Sequence, residues 1–256
     1  MALLLPIDEA DITVSVVSHG HDDWLPDLLA GLARTGAGRL RRVVLTHNLP
    51  SSRRIEGVWP FELVEIHNSH PRGFGANHNQ AFARAHTPWF CVLNPDIAIT
   101  DERLWPALQA AVSVPGVGAV TPTLLNEDGS RQDHLRALVT PWALFLRRAM
   151  GRRDRRVDWF SASFLLVPAA AYRAVAGFDE RFHMYCEDVD LCLRLQLAGF
   201  RLVCVPVAAV HHAQRDSLRR WRPMAWHVRS LVRLWCSRSF WSYLLRPPHQ
   251  GPVDRR

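Results

Sequence analysis

One stretch of the sequence decides the fold assignment: Gly177-Phe178-Asp179-Glu180-Arg181-Phe182-His183-Met184-Tyr185-Cys186-Glu187-Asp188-Val189-Asp190. After it, apolar residues recur at the i, i+4 and i+7 spacing of a helix, at Leu191, Leu195 and Ala198, and Gly199 follows as a C-cap. Glu187 and Asp188 then lie at a helix N-terminus, where the helix dipole and free backbone N–H groups favour acids. A purely structural role there competes with a catalytic one, and the rest of the chain decides between them.

Length and composition indicate a single globular unit. The chain has 256 residues, of which 48% are hydrophobic, enough to bury a full core without a second domain. No run of 18 or more apolar residues occurs, which argues against a membrane-spanning segment. The apolar start, Met1 to Pro6, has no basic lead and is followed by Asp8 and Glu9, so it is a poor signal peptide. We therefore expect a cytoplasmic protein.

The cysteines indicate the redox compartment of the protein, and the net charge indicates the charge of its partner. The five cysteines form no CxxC pair, and Cys91 and Cys204 lie in apolar, strand-like runs, which predicts buried free thiols in a reducing compartment. The formal net charge of +7 predicts an anionic partner, which could be a nucleotide, a nucleic acid or a membrane surface.

Strand and helix patterns alternate through the first third of the chain. Strands are predicted at 12–18, 42–46 and 61–66, with a helix beginning near Trp24 and stopping near Gly36. This alternation predicts a mostly parallel α/β sheet. Ligands bind beyond the carboxyl ends of the strands in such sheets, so the polar clusters that follow each strand should gather into one site.

A glycine-containing loop, residues 68–80, leads from the third strand into a helix. Gly73 and Gly75 resemble part of a phosphate-binding loop, but the third glycine of GxGxxG and a Walker lysine are both missing. A dinucleotide fold is therefore poorly supported. A glycine turn capped by asparagines is the alternative interpretation of this loop.

The apolar run from Trp89 to Leu93 predicts a buried strand that ends at Asn94-Pro95-Asp96. A carboxylate at a strand's carboxyl end can hold a divalent cation, which in turn can hold a diphosphate. The alternative is an Asx-type turn in which Asp96 bonds only its own backbone. Further along, the arginine-rich stretch 131–156 is either a solvated face or a mobile loop over the site.

The C-terminal region predicts a basic amphipathic helix in a segment spanning 216–246. Its apolar positions follow 3,4 spacing, at Leu218, Trp221, Ala225, Val228, Val232 and Trp235, with arginines flanking them. Such a stripe either packs on the protein's own core or lies on an anionic membrane surface. We assign 1–215 to the main domain and expect the tail 247–256 to be disordered.

Seven motifs in order give the chain a specific resemblance. They are Ser18-His19-Gly20, Arg72-Gly73-Phe74-Gly75-Ala76-Asn77-His78-Asn79, Leu93-Asn94-Pro95-Asp96, Ser161-Ala162-Ser163-Phe164, Gly177-Phe178-Asp179-Glu180-Arg181-Phe182, Glu187-Asp188-Val189-Asp190-Leu191-Cys192 and Val210-His211-His212. Together they resemble family 2 inverting glycosyltransferases of the GT-A fold, and bacterial rhamnosyltransferase-like members most. The resemblance implies a single α/β domain whose mostly parallel central sheet is flanked by helices.

The resemblance also implies roles for individual residues. Asp96, at the position of the family's DxD motif, would hold Mg²⁺ or Mn²⁺ on the sugar-nucleotide diphosphate, and Asp188 would be the catalytic base. His211 would approach the metal or the diphosphate, with a structural histidine, or His212 in its place, as the alternative. Donor-binding positions are Ser18, His47, Asn48, Arg72, Gly73, Asn79, Asn94 and Asp96. Acceptor-binding positions are Asp179, Glu187 and Ser163. Glu187 is also placed with Asp188 in the catalytic pair, where it would contact the acceptor or orient the loop. Asp190 remains structural, since it suits an ion pair with Arg194.

Two residues depart from the family pattern. Thr46-His47-Asn48 stands where the family usually has an aspartate that contacts the base, which leaves the uridine or thymidine preference open. Asn94 replaces the first DxD carboxylate, which lowers the negative charge available to a metal.

The predicted function is inverting transfer of a sugar, with dTDP-L-rhamnose ahead of other dTDP- or UDP-sugars as donor. The expected acceptor is a lipid-linked sugar or a surface polysaccharide, reached by peripheral contact with the inner membrane. The alternatives are a degenerate nucleotide-sugar-binding protein, a metal-stimulated nucleotidyltransferase and a nucleic-acid-binding protein. No recognised nucleic-acid motif supports the last of these.

Overall fold

A computed structural model describes residues 11–51, 55–138, 140–141, 157–212, 221–246 and 254–255. The strands are β1 (Ile12–Ser18), β2 (Leu40–His47), β3 (Glu62–His67), β4 (Trp89–Leu93), β5 (Ile97–Ala98), β6 (Val117–Leu125), β7 (Leu135–Arg136), β8 (Trp159–Phe160), β9 (Phe164–Pro168), β10 (Arg201–His211) and β11 (Asp254–Arg255). The helices are α1 (Leu25–Gly36), α2 (Phe74–Phe82), α3 (Leu104–Val112), α4 (Ala169–Ala174), α5 (Glu187–Leu197), α6 (Trp221–Trp235) and α7 (Arg238–Leu244).

The main sheet is mostly parallel, as predicted. Its strand order is β11-β10-β6-β9-β4-β1-β2-β3, and β5 adds to β10 in the antiparallel direction. β9 runs antiparallel to both β4 and β6. The carboxyl ends of β1, β2, β4, β6 and β10 therefore lie along one edge of the sheet, together with the amino end of β9.

Alternating side chains divide the core between the two faces of the sheet. On β1, Ile12, Val14 and Val16 pack with α1 and α3, while the buried hydroxyl of Ser15 faces α2 and bonds Nδ1 of His78 at 2.8 Å. The second apolar layer lies under α2, α4 and α5 and also takes in Leu234 and Phe240. The C-terminal helices α6 and α7 thus pack on the core of the same domain.

The stretch 158–167 contains two strands, β8 and β9, that belong to different sheets. β8 pairs with β7 in a separate two-stranded sheet, and β9 joins the main sheet only after the turn Ser161-Ala162-Ser163. Ser161 donates its N–H to the carbonyl of His134, while Ser163 offers its carbonyl to the N–H of Asn94. The two ends of the turn are therefore bonded to different segments, one to His134 and the other to Asn94, and these bonds fix the position of the turn.

Most of the apolar stripe predicted on the C-terminal helix faces solvent where the structure describes it, but Trp235 at its end packs against the core. Val228 and Val232 are 55% and 51% exposed and Ala225 is exposed, whereas Ser230 and Leu234 point into the protein. Packing of this stripe on the core, one of the two expectations, does not occur at these three positions. Leu218 and the side chain of Trp221 lie outside the described residues.

Some expectations fall partly or wholly outside the described ranges. They concern the N-terminal Met1 to Pro6, most of the arginine-rich stretch 131–156 and most of the tail 247–256. Within the tail, Asp254–Arg255 pairs with β10 in parallel. Across the part of the chain that is described, the helices are too short or too polar for any of them to cross a lipid bilayer.

Candidate active site

Asp96 and His211 face each other at the strand edge. The register places His211 opposite Ile97, so Nε2 of His211 lies 3.3 Å from Oδ1 of Asp96. Asp96 is buried, and its Oδ1 has no hydrogen-bond partner among the described residues. A buried, unpartnered carboxylate oxygen is costly unless a ligand satisfies it.

Gln132 fixes which nitrogen of His211 points toward Asp96. Its amide nitrogen donates to the His211 carbonyl at 3.2 Å, so its Oε1 accepts from Nδ1 of His211 at 3.0 Å. In the neutral ring the hydrogen-bond network therefore places the proton on Nδ1 and leaves a lone pair on Nε2. Two electron-pair donors, one oxygen and one nitrogen, then face each other, and they repel unless a cation or a proton lies between them.

These two atoms fit a divalent cation of the Mg²⁺ or Mn²⁺ type. Carboxylate oxygen suits both ions, imidazole nitrogen is a common ligand of transition metals, and a second-shell amide on the far ring nitrogen is the usual way to orient a metal-bound histidine. Asn94 lies two residues before Asp96 and is held by its own N–H, which donates to the Ser163 carbonyl at 2.8 Å.

His212 has other partners. Its Nδ1 lies 3.0 Å from Oε1 of Glu127, its ring stacks on Trp24 with centroids 5.2 Å apart, and its N–H donates to the Asp96 carbonyl at 2.9 Å. His212 thus holds the backbone of Asp96, and His211 is the histidine whose ring nitrogen faces the Asp96 carboxylate.

Glu187 and Asp188 form the first turn of α5, as the sequence pattern predicts. The two preceding residues, Tyr185 and Cys186, adopt left-handed conformations with φ of 71° and 66°. Such conformations cost about 1–3 kcal/mol each in non-glycine residues and persist where the surrounding structure imposes them. Here Tyr185 stacks on His227 of α6 with ring centroids 3.5 Å apart. This strained turn directly precedes the first turn of α5.

The environment of the two acids keeps them protonated to higher pH than usual. Burial raises the pKa of the Asp188 carboxyl to about 6, against the opposing effects of the hydrogen bond from the Val189 N–H and of the positive charge of Arg136. Burial, and then the charge of Asp188, raise the pKa of Glu187 well above its ordinary value. Oε2 of Glu187 is buried without a partner among the described residues. A pKa near the working pH suits a general base.

One short turn connects the two acidic motifs. The Ser163 carbonyl accepts the N–H of Asn94 at 2.8 Å, and the backbone N–H of Ala162 lies close enough to the Asp188 carboxylate to lower its pKa. The hydroxyls of Ser161 and Ser163 lie 2.8 Å apart. The turn 161–163 therefore lies next to both the Asn94-Pro95-Asp96 segment and Asp188.

A polar network occupies the ends of β1 and β2. The Ser18 hydroxyl donates to Asp22 at 2.8 Å, and the Ser18 carbonyl accepts the N–H of Asn48. The Asn48 side chain clamps the backbone of Arg72, accepting its N–H at 2.7 Å and donating to its carbonyl at 2.9 Å. The Arg72 guanidinium, partly exposed, bonds Gln80 and lies 3.8 Å from Glu180. Ser18 and Asn48 thus hold the loops at the ends of β1 and β2 in place, and the Arg72 side chain lies nearer the protein surface.

The His47 ring is less accessible than it would have to be to stack on a nucleotide base. It is buried, bonds Oε2 of Glu65 at 2.8 Å and stacks on His67 with the rings 3° from parallel. One face of its ring is therefore covered by protein.

Three further predicted ligand residues are used within the protein. Asn79 makes four hydrogen bonds, with the Tyr172 hydroxyl, the N–H and carbonyl of Phe178 and the Glu180 carboxylate. Gly73 lets the chain pass the His183 carbonyl, since a Cβ there would lie 2.7 Å from that oxygen. Asp179 forms an ion pair with Arg181. These residues hold the loop 177–183 against α2.

Comparisons with known proteins show the family of this chain. The family model described as "Glycosyltransferase like family 2" matches residues 10–226 of the 256. The chain belongs to this family. It is therefore a glycosyltransferase.

Its relatives include rhamnosyltransferases. Rhamnosyltransferase WbbL of Escherichia coli K12 is 28% identical over 243 residues, which cover 87% of this chain and 91% of WbbL. The N-acetylglucosaminyl-diphospho-decaprenol L-rhamnosyltransferase of Mycobacterium tuberculosis H37Rv is 35% identical over 150 residues, 52% of this chain and 49% of that protein.

Solved structures agree on the GT-A fold. The mannosyltransferase PcManGT of Pyrobaculum calidifontis, in complex with GDP-Man and Mn²⁺, has a TM-score of 0.61 at 16% identity over 90% of this chain and 66% of its own. GalNAc-T7 with UDP, GalNAc and Mn²⁺ has a TM-score of 0.62 at 14% identity, covering 94% of this chain and 52% of its own.

The sequence motifs of this glycosyltransferase pointed to most residues at the strand edge but missed two contributors. Gln132 carries no local motif, since it lies in an irregular segment and acts only through tertiary contact with His211. Ala162 acts through its backbone N–H, which side-chain chemistry cannot reveal. The predicted ion pair of Asp190 with Arg194 is confirmed at 2.7 Å.

Proposed function

We propose that this glycosyltransferase transfers a sugar with inversion from a nucleotide-sugar, with dTDP-L-rhamnose as the first candidate donor. The observation that carries the proposal is the buried pair of electron donors, Asp96 Oδ1 and His211 Nε2, 3.3 Å apart at the same strand edge as Asp188. The rhamnosyltransferase relatives support the choice of sugar. UDP-sugars are the alternative donors.

In the proposed reaction, Asp188 accepts the proton of the acceptor hydroxyl while that oxygen attacks the anomeric carbon. The bond from the anomeric carbon to the nucleoside diphosphate breaks in the same in-line step, so configuration inverts and the diphosphate leaves. General base catalysis of this kind contributes about 10²–10⁴-fold. Asp188 suits it because its raised pKa still leaves it ionised at neutral pH.

Asp96 and His211 would hold a divalent cation, with Gln132 keeping the His211 ring in place. The ion, when bound, neutralises charge on the departing nucleoside diphosphate. Glu187, whose Oε2 has no described partner, would contact the acceptor or keep the first turn of α5 in position. Ser163 lies at the same turn as the Ala162 N–H and would border the acceptor.

The proposed acceptor is a saccharide on a polyprenyl diphosphate or a growing surface polysaccharide, used at the cytoplasmic face of the membrane. The relative that acts on N-acetylglucosaminyl-diphospho-decaprenol supports a lipid-linked acceptor. The exposed Val228 and Val232 of α6, flanked by Arg229 and Arg233, support peripheral contact with an anionic membrane.

A thermal-shift panel tests the donor site. The melting temperature is measured with dTDP, UDP, GDP and ADP, each with and without Mn²⁺, because a ligand of the folded state stabilises it according to its saturation. We expect dTDP to give the largest Mn²⁺-dependent shift, and Asp96→Ala to abolish it. Glu102→Ala, which removes an exposed carboxylate elsewhere, should keep the shift.

The acceptor step needs a separate assay. Transfer from dTDP-L-rhamnose to a polyprenyl-diphosphate-linked N-acetylglucosamine is followed by the mass of the lipid product, and the anomeric configuration is read by NMR. A product that retains the donor configuration would overturn the inverting mechanism. The absence of any nucleotide-dependent shift would overturn the donor site itself.

A further inference from the structure

A pocket of about 370 Å³ lies beside the catalytic helix and outside the site described above. One wall is the loop that precedes α5, and the other is a face of α6. Its lining residues are Arg181, His183, Trp226, Arg229, Ser230 and Arg233. No carboxylate contributes to this lining, so the pocket is basic and its rim carries one large aromatic side chain.

The positive charge of the pocket is only partly neutralised. Arg181 forms an ion pair with Asp179 at 2.6 Å, while Arg233 donates to the Arg181 carbonyl, which carries no formal charge. Neither Arg229 nor Arg233 has a carboxylate partner within the described ranges. Guanidinium groups with free N–H donors suit phosphate oxygens, which they can bind through two parallel hydrogen bonds.

The surface around the pocket is apolar where it faces away from the protein. Val228 and Val232 lie on the outer side of α6, and Trp241 and Leu244 of α7 and the following Leu245 are 50%, 44% and 77% exposed. A helix that carries arginines on its flank and apolar side chains on its outer face has the character of one lying in a membrane interface. The pocket would then open at the level of the lipid head groups.

The pocket is joined to the catalytic residues by a short piece of chain. Ser230 of α6 donates to the Met184 carbonyl at 2.8 Å, and the His183 carbonyl accepts the N–H of Phe74 at 3.0 Å. His183 and Asp188 are five residues apart, so their Cα atoms lie within about 18 Å of each other. A head group held in the pocket can therefore extend a saccharide toward Asp188.

We propose that this pocket binds the diphosphate of a polyprenyl-diphosphate-linked acceptor, while the outer faces of α6 and α7 rest on the membrane that holds the prenyl chain. Arg229 and Arg233 bind the phosphate oxygens, and Trp226 lies at the boundary with the lipid. The inference rests on the proposed function, because it assumes a lipid-linked acceptor, and it assigns that acceptor a binding site of its own.

Vesicle flotation tests the pocket without any donor. Phosphatidylcholine vesicles that carry undecaprenyl diphosphate are compared with vesicles that carry phosphatidylglycerol at the same surface charge. We expect the wild-type protein to bind the diphosphate lipid at least about tenfold more tightly, since charge-assisted hydrogen bonds are directional. Arg229→Gln with Arg233→Gln should remove that preference and keep the weaker binding to phosphatidylglycerol.

Matched variants separate the pocket from general electrostatics. Arg84→Gln with Arg103→Gln removes two exposed arginines elsewhere and should leave the preference intact. Arg229→Gln alone, at a residue with no described partner, reports on the pocket if the double variant unfolds. Equal binding of wild type to both vesicle types, no binding to either, or a double variant that keeps the preference would each overturn the proposal. So would inorganic diphosphate in solution that binds as tightly as the lipid.

The donor site provides an independent readout. The pocket variants should retain the Mn²⁺-dependent thermal shift with nucleotide, because they leave Asp96 and His211 unchanged. Loss of the flotation preference with a normal nucleotide shift supports the pocket. A missing nucleotide shift in wild type counts against the proposed function, whereas missing discrimination between vesicles counts against the pocket.

Discussion

Nε2 of His211 lies 3.3 Å from Oδ1 of Asp96, with both atoms in position to share one cation. The relationship depends on strand pairing, since β5 and β10 are far apart in sequence and meet in antiparallel register. It also depends on Gln132, which bonds the opposite ring nitrogen of His211. Three segments of the chain thus converge on one proposed metal site.

Gln132→Leu should weaken metal binding without removing a ligand. Loss of the Gln132 amide frees the His211 ring to rotate, and second-shell changes of this kind typically cost about 10–100-fold in metal affinity. The measurement is the Mn²⁺ concentration that gives half of the nucleotide-dependent thermal shift. Gln109→Leu, a change remote from the site, is the control. An unchanged Mn²⁺ midpoint in Gln132→Leu would show that the ring needs no such support.

Asp188→Asn should abolish most turnover but leave binding of the donor nucleotide unchanged. The amide cannot accept the acceptor proton, so we expect kcat to fall by about 10²–10⁴-fold. The nucleotide- and Mn²⁺-dependent thermal shift should stay within error of wild type, since Asp188 is placed on the acceptor side. A variant with near-normal kcat would rule out Asp188 as the base.

The pH dependence of turnover should report the ionisation of Asp188. The base works only when deprotonated, and the pKa of Asp188 is raised to about 6, so kcat/KM should rise with pH and level off above that value. Below it, the rate should fall about tenfold per pH unit. Profiles are measured at saturating Mn²⁺ between about pH 5 and 8. A profile that is flat across this range would contradict the assignment.

Glu187→Gln should stabilise the fold, most clearly at high pH. The pKa of Glu187 is raised in the folded state by burial and by Asp188, so the folded protein holds this proton more tightly than the unfolded chain. Wild-type stability is therefore lost as pH rises above the ordinary glutamate pKa and through the raised one. The uncharged amide escapes that loss.

Urea unfolding at about pH 5 and pH 8 measures this effect. We expect the variant's gain in free energy of unfolding to be larger at pH 8, with each kcal/mol raising the melting temperature by about 2–4 °C. Glu102→Gln, at an exposed site, should show no such difference. A gain for Glu187→Gln that is equal at both pH values would mean that ionisation of Glu187 is not the cause.

Asn79→Ala should destabilise the protein more than it affects the donor. The Asn79 amide makes three hydrogen bonds to the loop 177–180 and one to Tyr172 of α4, so its removal should lower the free energy of unfolding by about 1–3 kcal/mol. The dissociation constant for nucleotide, measured by calorimetry at a temperature where the variant is folded, should change less than about threefold. A large loss of nucleotide affinity without destabilisation would instead support the role of Asn79 in donor binding.

Local residue patterns alone determined much of this protein. β-Branched runs predicted β1 and β2, and the spacing after Asp190 predicted α5 with Gly199 at its end, because periodicity reports directly which side chains are buried. The resemblance to family 2 glycosyltransferases, carried by short motifs, pointed to Asp96, Asp188 and His211, whose chemistry resides in the side chain itself.

Tertiary structure decided the features that depend on partners distant in sequence. The stripe at Val228 and Val232 could face core or membrane until the packing of Ser230 and Leu234 set the rotation of α6. Asn79 has the chemistry of a ligand, but Tyr172 of α4 and residues of the 177–180 loop together use all of its hydrogen-bonding groups. Gln132 carries no motif, because its role exists only where the fold brings it against His211. Sequence periodicity fixes which side of an element is apolar, whereas the neighbour that covers that side is chosen by the packing of the whole chain.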